Sequence, residues 1–487
     1  MDFSNKDLQQ IKDHGLTVEE VEQQLEHFKK GFSPIDIVKP ATSDDGVMIT
    51  DPMVCDYMAT KYSEYAKKHK IVKFVPASGA ATRMFKDLNE FFISNQINPA
   101  SQKIVDNIDK FAFYKELQIV LPKHADARSI ARYITSNLGL NYAHMPKGLI
   151  PFHKYNDKDI RTPVEEHLIE AAQYAVSANN QINIHFTVSP EYKFMFKALL
   201  NRAIPQYESK YNVKYNVEMS EQNQSSDTIA VNMDNTLFRG LDDSLLFRPS
   251  GHGALIENLN NIDADLVFIK NIDNITTDAL RADTIKYKKV LAGILISTQQ
   301  KIFNLIREID SGRSNTELLI NVLHDFVTTK LGMKLQTKLS LAEYRKILNR
   351  PIRVCGVVKN TGAPGGGPFW VRNQNGTTSL QIVESSQIAP ESKDIMNKSE
   401  YFNPVDLVCG INDFQNKKFD LKQYIDKNTG FITEKSKDGI PLRAMEKPGL
   451  WNGAMANWNT IFVAVPASTF TPVKVVTDLL TPMHKTR

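Results

Sequence analysis

Cysteine, like-charge runs and long apolar stretches are all scarce in this chain, and each shortage excludes something. Cys55, Cys355 and Cys409 are the only 3 cysteines among 487 residues. Odd in number and scattered, they match no metal-ligand spacing and no disulfide framework, so the reduced thiols of a cytoplasmic protein are expected. The longest apolar stretches, such as Val290 to Ile296, fall well short of the roughly 20 residues a spanning helix needs. The start, Met1-Asp2-Phe3-Ser4-Asn5-Lys6-Asp7, has no basic segment followed by an apolar run, so no secretory signal is read. With 59 basic and 55 acidic residues, a net charge of +4 and no like-charge block, electrostatics nominate neither nucleic acid nor a membrane as partner. Neither an internal repeat nor a low-complexity tract is visible.

What is present is ordinary globular material, 42% hydrophobic and 23% charged. The length suits one large α/β unit with insertions, or two to three domains. Residues 1–70 read as a helical amino-terminal extension, with Leu8, Ile11 and Leu16, then Val18, Val21, Leu25 and Phe28, at helical spacing. Asp51-Pro52 is an N-cap with proline in the first turn of a further helix to about Lys68. Ile71 to Val75 is a β-rich run that ends in small residues. Further on, Thr162-Pro163-Val164-Glu165 is a capping box that opens a helix. Ile182–Val188, Val213–Met219, Thr228–Met233 and Leu266–Lys270 are strand candidates, and Ser189-Pro190-Glu191 caps another helix. Residues 71–275 are therefore expected to form an α/β region, 276–350 a helical insert, and 351–487 a β-rich remainder. Ala363-Pro364-Gly365-Gly366-Gly367-Pro368 cannot be helix.

The most informative segment is Val75 to Lys86. A strand that stops in Pro76-Ala77-Ser78-Gly79-Ala80-Ala81 and feeds a helix aims backbone N–H groups at one spot. Small side chains admit an anion closely, and Arg83 and Lys86 are expected one turn inside the helix, where Arg83 could neutralise charge on a leaving pyrophosphate. The loop is not a Walker A motif, because no Gly-Lys-Ser/Thr follows, and it lacks the dinucleotide glycines. Packing alone is the competing explanation for such a turn.

Ala77-Ser78-Gly79-Ala80-Ala81-Thr82-Arg83-Met84 resembles the signature loop of sugar-phosphate nucleotidyltransferases, Ala-Ala-Gly-x-Gly-Thr-Arg-Met, with Ser78 and Ala81 as departures. By that resemblance Ala77, Ser78, Gly79, Ala80, Thr82 and Lys86 would bind nucleotide. Met145-Pro146-Lys147-Gly148-Leu149 resembles the family's Pro-Lys-x-Leu element after a long insertion, which would put Lys147 on a substrate phosphate. Arg248-Pro249-Ser250-Gly251-His252-Gly253 has a glycine on each side of one histidine, a loop able to wrap a flat ring. Leu266 to Asp273 is a strand whose carboxyl end delivers a carboxylate suited to Mg²⁺ between phosphate oxygens. These two are similar to segments of UDP-sugar pyrophosphorylases, which implies nucleotide contacts from Gly251, His252 and Gly253, and a metal on Asp273. A helix-capping His252 and a turn-closing Asp273 are the plainer readings. Asp263-Ala264-Asp265 precedes its strand and reads as a solvated turn.

Farther on, Leu380 to Ile388 and Tyr401 to Asp406 resemble sugar-side segments of UDP-N-acetylhexosamine pyrophosphorylases. The resemblance implies Glu384 and Asn403 on sugar hydroxyls and Asp406 as a second metal ligand; surface polar groups near strand ends are the alternative. Phe369-Trp370 is expected to plug a core, with stacking on a sugar face as the alternative, whereas Glu446-Lys447 and Trp451-Asn452-Gly453-Ala454-Met455 are distinctive without an assignment. The chain as a whole also resembles a bacterial family of domains of unknown function. The expected architecture is a GT-A-like nucleotidyltransferase fold, α/β, with a mainly parallel twisted sheet between helices. The expected reaction is Mg-dependent coupling of a nucleoside triphosphate, with UTP favoured, to a sugar 1-phosphate with pyrophosphate release. A glycosyltransferase using a nucleotide sugar, and a non-catalytic nucleotide- or sugar-binding protein, stand as alternatives on the same fold.

Overall fold

A computed structural model describes residues 3–362 and 366–486 of the chain. Its centre is a 9-stranded sheet. The main path runs through Val47–Met48, Asn459–Ala464, Ile352–Lys359, Asp406–Gly410, Leu266–Lys270, Ile71–Pro76, Gln181–Thr187 and Lys214–Ser220. Pairing is parallel except at the two joints that flank Asp406–Gly410 and at the short Tyr401–Phe402 strand beside Ile352–Lys359. The mainly parallel sheet expected from the sequence is thus present, and strands from 351–487 lie in the same sheet as strands from 71–275.

The central strands are buried on both faces, which suits their nearly continuous apolar sequences. Ile71 and Val75 join one core with Leu266 and Phe268, while Val72 and Phe74 join another with Val267 and Ile269, the period-two division a pleated strand imposes. The first core lies under the helices Pro52–Ala66, Pro163–Tyr174, Lys193–Tyr211 and Ala282–Ser311. The second is covered by the Leu255–Asn260 helix and the hairpin Gly367–Arg372/Thr378–Val383, whose Trp370 is buried as expected. The long insertion before Lys147 builds a third core around Phe85, Phe113 and Tyr142.

Local signals mostly hold. Asp51 Oδ1 accepts from Val54 N–H at 2.8 Å, and Thr162 and Glu165 form the reciprocal capping box. Differences come from tertiary demands. The 1–70 stretch contains helices Asn5–Asp13, Val18–Lys30 and Pro52–Ala66 but also strands Ile37–Pro40 and Val47–Met48, which pair with chain from beyond residue 367. The Thr228 strand is only Thr228–Ile229, paired with Phe247–Arg248. The expected glycine turn at 363–365 lies outside the described residues, and the 3 cysteines are free and buried.

The Pro52–Ala66 and Ala282–Ser311 helices meet so closely at Gly293 that a Cβ there would sit 2.1 Å from the Met58 carbonyl oxygen. Gly293→Ala is therefore expected to destabilise the fold by about 1–3 kcal/mol, although alanine is ordinarily the better helix former. A lowered urea midpoint with an unchanged slope would register it.

Candidate functional site

Strands Ile71–Pro76 and Leu266–Lys270 are parallel neighbours, with Leu266 opposite Ile71 and Ile269 opposite Phe74. Their carboxyl ends therefore open side by side, and the segments that leave them meet in one cleft of about 590 Å³. Ser78, Gly79, Ala80, Thr82 and Arg83 line it together with Lys147, Asp273, Gly251, His252 and Trp451. Five segments, the first and last more than 360 residues apart in sequence, are brought together by the fold.

The loop is held as an irregular turn by its neighbour. Ala81 N–H donates to Met145 O at 2.8 Å, Lys147 N–H to Gly79 O at 3.2 Å, and the Thr82 hydroxyl to Ala143 O at 2.9 Å. The amides of Ser78, Gly79, Ala80, Thr82 and Arg83 find no acceptor among the described residues. Backbone donors without partners are uncommon, and several in one small-residue loop form a nest for an anion. A Cβ on Gly79 would meet nothing within 4 Å, so the space in front of the loop is open. Ala81, where the family signature has its last glycine, turns its methyl into the core with Met84 and Phe85 rather than toward the cleft.

Lys147 Nζ lies 2.7 Å from Asp273 Oδ2 and donates to Val473 O at 2.8 Å. Asp273 is itself positioned from both sides. His167, fully buried and therefore held neutral well below its ordinary pKa, approaches Ile272 O at 3.2 Å. On the other side Val473 N–H donates to Asp273 O at 3.0 Å. His252 stacks on Trp451 with ring centroids 4.3 Å apart at 11°. Leu450 N–H donates to His252 Nδ1 at 3.0 Å, and Nε2 faces Glu384 Oε1 at 3.6 Å. Neither plainer reading describes these groups: His252 packs on an indole and Asp273 engages a lysine.

Several expected residues stand elsewhere. The helix begins at Lys86, not Thr82, because residues 81–85 form a turn that buries Ala81, Met84 and Phe85; Arg83 therefore precedes the helix, at the cleft edge. Lys86 is exposed beside Glu90 at 3.5 Å and does not line the cleft. Ala77 is fully buried, its N–H given to Thr187 O. Gly253 serves packing, since a Cβ there would approach Pro448 O to 2.4 Å. Asn403 is buried in the turn before Asp406–Gly410; Oδ1 accepts from Val405 N–H at 2.9 Å and Nδ2 has no acceptor among the described residues. Val405 follows at φ 55°, costly for a β-branched residue. Asp406 is also buried and pairs with Lys288, so its carboxylate is not part of the cleft wall.

Sequence reasoning missed Trp451, whose unassigned Trp-Asn-Gly cluster was the available signal, and Gln222, which also lines the cleft. It also missed the carboxy-terminal segment. Thr471 N–H donates to Asn274 Oδ1, Val473 brackets Lys147 and Asp273, Val476 N–H donates to Met84 O, and His484 Nδ1 lies 3.0 Å from His153 Nε2. Burial, and then the adjacent His153, hold the His484 imidazole down to about 3. A detached segment would titrate near 6.5 and bind a proton that the docked one refuses, so docking is strongest above about pH 6.5 and weakens as pH falls toward 3. Hydrogen exchange over residues 471–486, corrected for its intrinsic pH dependence, should thus be faster at about pH 5 than at about pH 8, and His484→Asn should flatten the contrast.

Comparison with known proteins places this geometry in context. A family model described as a domain of unknown function, DUF4301, matches residues 4–485. The chain belongs to this family. No curated protein matches it. Among solved structures, the uridine diphosphate N-acetylglucosamine pyrophosphorylase from Trypanosoma brucei superposes with a TM-score of 0.50 at 12% identity, covering 98% of this chain and 79% of that one. The UDP-glucose pyrophosphorylase from Leishmania major gives 0.45 at 14% identity, over 98% and 79%. At such identity the likeness concerns the fold: this DUF4301 chain has the α/β architecture of nucleotidyltransferase-like pyrophosphorylases. No helix among the described residues is long and apolar enough to cross a membrane.

Proposed function

We propose that this DUF4301 protein is a nucleotidyltransferase that joins a nucleoside triphosphate, UTP foremost, to a sugar 1-phosphate. One observation carries the reading. A loop with five unpartnered amides, Arg83, Lys147 and the Asp273 carboxylate share one cleft at the carboxyl ends of adjacent parallel strands, where open α/β sheets bind ligands.

In this reading an oxygen of the sugar phosphate attacks the α-phosphorus, the bond from that phosphorus to the bridging oxygen breaks, and pyrophosphate leaves. The free amides of Ser78 to Arg83 hold phosphate oxygens, and Arg83 balances charge on the departing group. Lys147, fixed by Val473 O and Asp273, carries the charge that orients the incoming phosphate. No general base is needed, because a phosphate monoester is already anionic near neutral pH. The His252–Trp451 stack gives the nucleoside a flat wall, and Glu384, beside His252, supports sugar hydroxyl contacts. Asp273, a partly exposed carboxylate in the cleft, is the residue that would hold Mg²⁺. Bound there, Mg²⁺ would neutralise and align the phosphates.

The test is pyrophosphate release with Mg²⁺ across a grid of nucleoside triphosphates and sugar 1-phosphates. Release that requires both substrates supports the reading. Nucleoside diphosphate formed from a nucleotide sugar would replace it with glycosyl transfer, and binding without turnover would replace it with a ligand-binding role.

A further inference from the structure

At the opposite end of the sheet, the amino ends of strands Ile352–Lys359 and Asn459–Ala464 open on a larger cavity of about 840 Å³. Arg350 stands in its wall, partly buried. Its guanidinium makes no ion pair and no side-chain hydrogen bond among the described residues; burial pulls its pKa below the ordinary arginine value, with Tyr424 the one group opposing. The wall carboxylates are otherwise engaged, Asp36 with Arg372 at 3.1 Å and Asp426 as acceptor for Asn428 N–H at 3.0 Å. A second cation lies close behind. Arg353 is fully buried and donates to Thr460 Oγ1 at 2.9 Å and Trp451 O at 2.5 Å, leaving Nη2 without a partner among the described residues.

Desolvating an unpaired charge is costly, so a fold that keeps one facing a cavity retains it against its own stability. Arg372, paired with Asp36, and Lys427 also stand in the wall, and its remaining polar side chains are uncharged. Asn373 Nδ2 donates to Thr377 and Ser379 hydroxyls at 3.0 and 3.2 Å, and Gln381 Nε2 donates to Asn373 Oδ1 at 3.1 Å. That network leaves Gln381 Oε1 free to accept. One guanidinium calls for an anion, and a ladder of amides and hydroxyls calls for a polyol.

We infer that this cavity is a second ligand site, distinct from the cleft, for a phosphorylated sugar, with Arg350 on the phosphate and the Asn373–Gln381 wall on the hydroxyls. It does not depend on what the cleft catalyses.

Titration of the full chain with glucose 6-phosphate, inorganic phosphate and glucose tests it, read by calorimetry and by thermal midpoint. Glucose 6-phosphate should bind more tightly than either simpler probe, and Arg83→Ala, altered only in the cleft, should bind it as the parent does. Arg350→Gln should weaken it about tenfold or more, while the unliganded variant melts at or above the parent temperature because an unpaired charge has gone. Asn457→Asp, an exposed wall position, should also weaken it by placing a negative charge at the mouth. The proposal is overturned if Arg83→Ala abolishes binding, if phosphate alone binds as tightly as glucose 6-phosphate, or if Arg350→Gln lowers the unliganded melting temperature and leaves affinity unchanged.

Discussion

Asp273→Asn should slow pyrophosphate release by about 100-fold or more while the protein stays folded. The substitution keeps size and leaves an oxygen to accept from Lys147, whose ammonium is now 2.7 Å from Oδ2. What it removes is negative charge in the cleft, which the proposed reaction needs for its cation. Arg83→Ala should have an effect of similar size for a different reason, because Arg83 lines the cleft with no carboxylate partner among the described residues and is available to the leaving group. If Asp273 acts as proposed, its variant should respond to added Mg²⁺ at higher concentration, whereas the Arg83 variant should not. Parent-like turnover in both would remove these residues from the mechanism without touching the fold.

Glu170→Gln should destabilise the protein by about 3–5 kcal/mol. Glu170, on the Pro163–Tyr174 helix, is completely buried and takes Lys73 Nζ at 3.0 Å on one oxygen and Lys270 Nζ at 2.8 Å on the other. Burial works against its ionisation, but the two ammonium groups win and hold its carboxyl well below the usual range. Both lysines belong to the strands whose ends form the cleft, and Lys288, paired with Asp406, is a third buried lysine nearby, its pKa pulled well down by burial. Losing the carboxylate strands two cations in the core. Burial already brings Lys73 down to about 7 in the parent, so the same pH dependence is present there and should be steeper in the variant, which lacks the opposing carboxylate. Its folded state sheds protons that the unfolded lysines keep to about 10.4, and stability should therefore rise with pH between about 7 and 10. Urea unfolding at several pH values reads this; a variant as stable as the parent, or one that weakens with rising pH, would show that the cluster does not bind the helix to the sheet.

Local physics made much of the fold legible. The Asp51 and Thr162 caps start helices where hydrogen-bonding chemistry puts them, and the short β-rich runs at 71–75, 266–270 and 460–465 are strands because nothing but a two-faced core accepts them. Errors arose where a segment's partner lay far away. Ile37–Pro40 is a strand because it pairs with Gly367–Arg372, and Met84-Phe85 breaks the helical start because the 99–145 insertion offers those side chains a core. Asp406 looked like a ligand in a strand-end motif, yet Lys288, over a hundred residues earlier, claims it.

Alone, the sequence determined the elements, the small-residue loop and the few residue types able to meet phosphate, since these depend on neighbours within a turn or two. Tertiary structure decided which of them face one another. Strand order set Asp273 beside Gly79, the closing segment locked Lys147 through Val473, and long-range packing turned Lys86, Ala77 and Asp406 away. Backbone preference acts over a few residues, whereas burial and charge pairing act across the whole sheet, so only the folded chain could choose among the candidates.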